Sequence, residues 1–598
     1  MMPYLRKPSS IFLAVLLCSS MMSGQKPKRV GYSASKFGRY VGYSQPLYSE
    51  WVRTSRYLEM SDGVKLAVDI IRPAKGGKAA TKPMPAVWNY YRYHRAREQD
   101  GNILSMVDRS PPLQTLVKHG YVIVVVDARG TGASYGSNDR GPNSIDQARD
   151  LYEITEWIVT QPWSDGNVGM FGHSYSGYMQ FRAAAQAPPH LKAIFPSMAT
   201  FDLYEIIYRG GVFGDKLAQG ASRSLSHWDI ETAAPPVDED SGGVMLAEAR
   251  AEHQRNVDPY IFLKTYTYRD TRVNDLAFWI DNNPRTYAKE VNESGIPVYQ
   301  WAGWYDFNIR DMFQWSANLS NPQKLTIGPW SHASYDWDDL LAVEQLRWFD
   351  YWLKGIDNGI MDEPSINYAA IESGDVSKWY STDHWPLPNA ENVSYFFTTG
   401  PSGSIKSVND GVLSTQEPTS DTGHDTYTVD YSASSDEDDM SVNDAKGLTF
   451  TSMPLEDDVT IIGHPVVTLY ITSTTNDVDC YAYLEEIDDN GTSTHITNGI
   501  LRASHRLLMQ PSFNNLGIPY HRHFASDAKP LEKNKVVELK FDLLPIARVF
   551  KKGSRMRLTL TGADQSYSEQ GQLVPPPTVK VYRSQRFASH IDLPIVKI

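Results

Sequence analysis

The sequence predicts a mixed α/β domain broken by a helical insertion and followed by an all-β domain. Three observations carry this. Apolar runs alternate with helix-period segments up to about residue 200; an aromatic, helix-compatible stretch replaces that rhythm over 201–290; and short alternating runs between polar stretches fill the chain beyond Pro386. Strand and helix signals in alternation mean a mostly parallel sheet with helices on both faces, whereas many short strands mean a β-sandwich.

The elements follow in order. Residues 1–24 are basic, then apolar, then small: Arg6 and Lys7 precede the apolar run 11–17, followed by Cys18, Ser19, Ser20 and a cut expected near Gly24. Seven apolar residues fall short of the ~20 that a membrane span needs, so the segment reads as a cleaved export signal. Leu17 is large for a residue preceding a lipidated cysteine, which makes an anchor at Cys18 the minor alternative. Removal of the signal leaves Cys480 as the only thiol, inside the alternating run 466–483, where it reads as a packed core residue.

Residues 57–60 and 64–71 form a hairpin about Asp62-Gly63. Residues 85–91 are a strand, and 121–126 are almost purely β-branched, as suits a central strand buried on both faces. A helix over 145–160 places Ala148, Leu151, Ile154, Trp157 and Ile158 at three- and four-residue spacing. A strand at 167–171, a turn and a helix through Ala187 follow. The insertion carries Trp228, Tyr260, Phe262, Tyr266, Trp279 and Tyr287 and reads as a cap. Strands at 296–301 and 324–328 return the chain to the first domain, which spans 25–200 and 291–385; residues 386–598 form the β domain, with strands near 393–398, 459–471, 536–541 and 555–560.

Composition limits the partners. Hydrophobic residues at 41% and aromatic residues at 12% exclude a disordered chain. The 57 Lys and Arg against 70 Asp and Glu leave a net charge of −13, which repels a nucleic-acid backbone. The acidic run 436–439 reads as a solvated loop. His521 and His523 lack a third ligand at metal spacing and read as surface or loop residues. No cofactor or metal is implied.

The chemistry concentrates at Gly172-His173-Ser174-Tyr175-Ser176-Gly177. A nucleophilic serine on a tight strand-to-helix turn needs small neighbours, and the two glycines supply them. A serine hydroxyl also needs a base, and the base a carboxylate; in α/β-hydrolase chains these come in the order serine, acid, histidine. Asp306 and His332 each lie just after a predicted strand, where sites of open α/β sheets gather. Alone, they read as a turn aspartate and a loop histidine; chain order and strand placement together make them acid and base. Asp311 and Asp336 are the fallback acids. His173 is a poor rival base, since its side chain should point away from that of Ser174. The oxyanion needs donors fixed in advance: the N–H of Tyr175 is the first, and the segment Asn89-Tyr90-Tyr91-Arg92-Tyr93 after 85–88 should supply the second, where a tyrosine hydroxyl can serve.

These residues resemble the family of cocaine esterase, α-amino acid ester hydrolases, glutaryl acylases and X-Pro dipeptidyl-peptidases. The resemblance runs through Asp62-Gly63-Val64-Lys65-Leu66, Asp127-Ala128-Arg129-Gly130-Thr131-Gly132 and residues 163–172, then the spaced Asp and His, and covers most of 50–590. It implies an α/β-hydrolase fold with a helical cap and a C-terminal jelly roll. It implies Ser174 as nucleophile, Asp306 as acid and His332 as base, with the Tyr175 N–H and the Tyr91 hydroxyl as oxyanion hole; the Arg129-Gly130 match reads as structural. Trp304, Trp330 and Tyr178 would wall an apolar acyl pocket. A peptidase would need a carboxylate for a free amino group, for which Glu205, Asp215 and Asp270 are the cap candidates.

The expected function is exported serine hydrolysis of an ester, small amide or short peptide, with X-Pro dipeptidyl-peptidase activity as the alternative; homo-oligomerisation stays open. A reading from another class is an inert carbohydrate- or partner-binding protein using aromatics read as exposed, such as Tyr481 and Tyr567.

Overall fold

The computed structural model describes residues 33–597 apart from 335–336, 374–375, 404–406, 438 and 570. The export-signal reading at 1–24, Cys18, Asp336 and Asp438 of the acidic run lie outside the described residues.

The hairpin opens the sheet: β1 (Glu50–Glu59) pairs antiparallel with β2 (Lys65–Lys75), with Gly63 at φ +84° in the turn. Then follow β3 (Met84–Tyr91), β4 (Val122–Asp127), β5 (Ser164–His173), β6 (Leu191–Ser197), β7 (Val298–Tyr305), β8 (Gln323–Ser331), β9 (Ile366–Ser373) and β10 (Val376–Thr382). The spatial order is β1-β2-β4-β3-β5-β6-β7-β8-β9-β10, parallel from β4 to β9 and antiparallel at both ends. All six residues of β4 are buried. Val122, Val124 and Val126 face one core, and Ile123 and Val125 the other, as the two-residue period of a doubly covered strand requires.

Helices α1 (Pro111–Lys118), α2 (Ile145–Val159), α3 (Tyr175–Ala185), α4 (Ile309–Asn318) and α5 (Asp338–Lys354) cover the two faces. Leu151, Ile154 and Ile158 of α2 join α3 and α4 over one face, while Leu116 of α1 and Phe349 of α5 pack on the other. Ser144 caps α2 by accepting from the Gln147 N–H. Between β6 and β7 the chain is helical, including Leu203–Ile207, Asp215–Ser226, Val244–His253 and Pro259–Thr265. Its aromatics make a separate core in which Tyr204 meets Tyr208 and Trp279 at ring distances of 5.2 and 5.5 Å.

From Ala390–Thr398 to His590–Val596 the chain forms mainly antiparallel strands in a β-sandwich. Strands such as Asp479–Ile487 and Arg555–Thr561 face Val466–Ser473 and Val537–Asp542 across a core holding Leu484, Leu558, Leu469 and Leu539. Cys480 is in that core, and burial pushes its thiol up out of its ordinary range. One parallel bridge, Ile371 to Arg548, joins β9 to the sandwich. Tyr481 and Tyr567, read from sequence as exposed, are instead buried and part-buried: they pack with Val212 of the insertion. Aromatic rings in an alternating run meet whichever element covers them, and here the insertion covers this face.

Candidate active site

Strand β5 ends at His173 and α3 begins at Tyr175, so Ser174 occupies the turn between them with φ 59° and ψ −118°. Positive φ strains a residue with a Cβ, and the turn is held on both sides. The Ser174 N–H donates to the Ser197 carbonyl at 2.9 Å, and the Ser174 carbonyl accepts from the N–H groups of Gly177 and Tyr178 at 2.8 and 3.1 Å. The close packing accounts for both glycines. A Cβ at 172 would lie 2.6 Å from the Ser176 Cβ, and one at 177 would lie 2.5 Å from the Ser197 carbonyl oxygen.

Asp306 follows β7 and His332 follows β8, at the carboxyl edge of the sheet where Ser174 also lies. The three side chains meet. His332 Nε2 is 2.9 Å from Ser174 Oγ, and its Nδ1 is 2.6 Å from Asp306 Oδ2. With the serine hydroxyl donating to Nε2, the ring proton belongs on Nδ1, where the carboxylate accepts it. Asp306 is almost wholly buried and its other oxygen accepts the Asn308 N–H at 2.6 Å; the His332 side chain keeps 30% exposure. Phe307 stacks on the His332 ring at 4.5 Å. A buried acid, an oriented imidazole and an accessible hydroxyl form the arrangement needed to activate an oxygen nucleophile.

The other sequence-picked residues sort by geometry. His173 turns to the His332 carbonyl, 3.0 Å from its Nε2; burial holds its pKa down to about 3. Asp311 accepts the N–H groups of Phe201 and Asp202 at 2.8 and 3.1 Å, and burial raises it to about 7. Tyr178 meets the Tyr175 ring edge-on at 5.4 Å. Tyr91 packs against the core of the α1 and α5 face, whereas Tyr93 lies near enough to Tyr175 and Tyr178 to interact with them electrostatically. As the first residue of α3, Tyr175 has no intrahelical acceptor for its N–H.

Trp304 and Trp330 are corrections: they belong to cores rather than to a pocket beside Ser174. The Trp304 indole donates to the Ala369 carbonyl at 2.6 Å, and Trp330 stacks on Trp301 at 4.8 Å. The three cap carboxylates are also engaged internally. Glu205 faces His523, Arg310 and Arg269 at 3.0, 3.2 and 3.3 Å. Asp215 accepts from Tyr260, and Asp270 from the Ala525 N–H. His521 and His523 are buried rather than on the surface: His521 Nε2 faces the Lys540 carbonyl at 2.9 Å, and His523 Nδ1 lies 2.8 Å from His505 Nδ1.

Sequence reasoning missed a contact that joins the insertion to the residues beside Tyr175. Arg92 and Asp229, both buried, pair at 2.9 Å, with the Arg92 guanidinium 5.3 Å from the Tyr175 ring centre. Next to them the His94 ring lies 2.6 Å from the Trp228 carbonyl. Spacing carries no trace of a pair separated by 137 residues. Arg129, by contrast, is structural as expected, forking onto Asp150 at 2.9 and 2.5 Å.

Comparison with known proteins agrees with this architecture. Residues 62–334 match the model of the X-Pro dipeptidyl-peptidase (S15 family), and 358–591 that of the X-Pro dipeptidyl-peptidase C-terminal non-catalytic domain. A Mycobacterium bovis protein named "Putative serine esterase" is 32% identical over 92% of this chain and 96% of its own length. Cocaine esterase of a Rhodococcus strain is 25% identical over 91% and 99%. The fold also matches a CocE/NonD family hydrolase from Staphylococcus aureus, with a TM-score of 0.72 at 21% identity over 92% of this chain and 94% of that one. With both family models matched in sequence and a relative aligned along nearly its whole length, this chain belongs to the X-Pro dipeptidyl-peptidase (S15) family of serine hydrolases.

Proposed function

We propose that this protein is an exported hydrolase that cleaves carboxylic esters or small amides through an acyl-enzyme on Ser174. The observation that carries the reading is the unbroken contact from Ser174 Oγ through His332 to Asp306. His332 Nε2 takes the hydroxyl proton as Oγ attacks the carbonyl carbon, and Asp306 stabilises the imidazolium. The oxyanion that forms accepts from the Tyr175 N–H and from the Tyr93 hydroxyl, two residues past the end of β3; a lost donor costs about 3–4 kcal/mol of transition-state stabilisation. The imidazolium then protonates the leaving oxygen or nitrogen, and water repeats the sequence to free the acid. Export rests on the three-part pattern of residues 1–24.

Ester hydrolysis is favoured over X-Pro dipeptide release because Glu205, Asp215 and Asp270 already hold protein partners. Two measurements test the reading. Ser174→Ala lowers kcat on a chromogenic short-chain ester by about four to six orders of magnitude without unfolding the chain; retained activity removes Ser174 from its role. Comparing that ester with a Gly-Pro amide sets the substrate class, and a strong preference for the free-amine substrate overturns the choice of ester.

A further inference from the structure

We infer that His173 is a positioning residue for the base: its Nε2–H fastens the backbone carbonyl of His332 and so locks the imidazole onto Ser174. This rests on the reading of His332 as the base. The contact joins the residue just before Ser174 to the base itself, 159 positions along the chain, at 3.0 Å. The proton on Nε2 donates to that carbonyl, and burial keeps the ring neutral. Its Nδ1 is left buried without a partner. A carbocyclic ring would fill the space without that cost, so what the imidazole adds is the donor.

The surroundings match the role. The His173 ring packs against the His332 ring at 4.7 Å and against Trp337 at 5.9 Å, while Phe307 also stacks on His332. Locally the His332 turn is tied by Ser331 N–H to Ser334 Oγ at 2.9 Å and Ser334 N–H to the Ser331 carbonyl at 3.2 Å. Those bonds shape the turn, whereas the bond from His173 ties it to the strand that carries the nucleophile. A shift of about 1 Å between reacting groups can cost on the order of 100-fold in rate.

The test compares His173→Gln, His173→Asn and His173→Phe in the full chain, with Ser174→Ala alongside. Glutamine places an amide N–H where Nε2 sits; asparagine is too short to reach, and phenylalanine keeps the ring but loses the donor. On a chromogenic ester, Gln is expected to keep kcat within about threefold, while Asn and Phe lose about 10- to 100-fold with KM nearly unchanged and label more slowly with a fluorophosphonate. Activity of Asn or Phe at the Gln level, or a Gln variant as slow as they are, overturns the proposal. Should Phe not fold, the two amides decide by themselves; a Gln variant that does not fold also counts against it. An active Ser174→Ala would instead sink the underlying triad reading.

Discussion

Strand parity at the end of β3 separates the tyrosine side chains proposed as oxyanion donors. Trp88 and Tyr90 point to the α2 and α3 face, so Tyr91 must point to the other, and it does. Past the strand end the Tyr93 ring meets Tyr91 edge-on at 5.4 Å and comes within electrostatic range of Tyr175 and Tyr178. Replacing Tyr93 by Phe is therefore expected to lower kcat by about 10²- to 10³-fold, while Tyr91→Phe stays within severalfold of the native enzyme. The reverse order in ester kinetics restores Tyr91, the tyrosine that family resemblance suggested. The strand was readable in the sequence; the surroundings of the residues after Tyr91 were not, since Arg92 pairs there with Asp229, 137 residues away.

Helix α3 matters as an element because it brings the Tyr175 N–H and Ser174 into place together, and it lies so close to β6 that a methyl group at 177 has no room. Gly177→Ala should destabilise the chain by about 1–3 kcal/mol through overpacking and lower kcat/KM, since the helix start must move. Gly220 offers the contrast. It lies within the cap helix Asp215–Ser226 with nothing near its missing Cβ, so Gly220→Ala should stabilise by about 0.5–1 kcal/mol with unchanged turnover. Thermal melts with ester kinetics on both variants separate a helix held by contact from one held by propensity. The strand-turn-helix signal at 167–187 was visible in the sequence; the contact with the Ser197 carbonyl was not, because it lies between segments twenty residues apart.

For the whole molecule, the insertion, α4 and the C-terminal sandwich meet at one buried charge cluster. Glu205 comes from the insertion, Arg310 from the helix that follows Asp306, and Asp542 and His523 from the sandwich. Glu205→Gln leaves Arg269 and Arg310 short of a carboxylate, and breaking a buried pair of this kind costs about 3–5 kcal/mol, read as a fall in urea midpoint with early loss of activity. The interface also responds to acid. Burial and the charge of Arg310 hold His464 down to about 3, although Asp542 lies 3.9 Å away, because that carboxylate also faces Arg310 at 3.5 Å. The pKa is lower folded than unfolded, so the stabilisation is complete above the unfolded value near 6.5 and is lost as pH falls toward 3. From pH 7.5 to 5 this one ring is expected to cost about 2 kcal/mol. His464→Gln should flatten the pH dependence of Tm by that amount, and an unaltered slope would rule the ring out as a source of it.

The sequence by itself determined the strand and helix rhythm, the glycines around Ser174, and the placement of Asp306 and His332 after successive strands, because hydrophobic period, backbone conformation and motif spacing are local or follow chain order. Only the tertiary structure decided where the aromatic and charged residues ended up. Trp304 and Trp330 became core, Tyr481 and Tyr567 became interface, and Glu205 was claimed by arginines from other segments. Such outcomes depend on which distant surfaces are brought together, and burial and charge pairing have no period along the chain from which to read them.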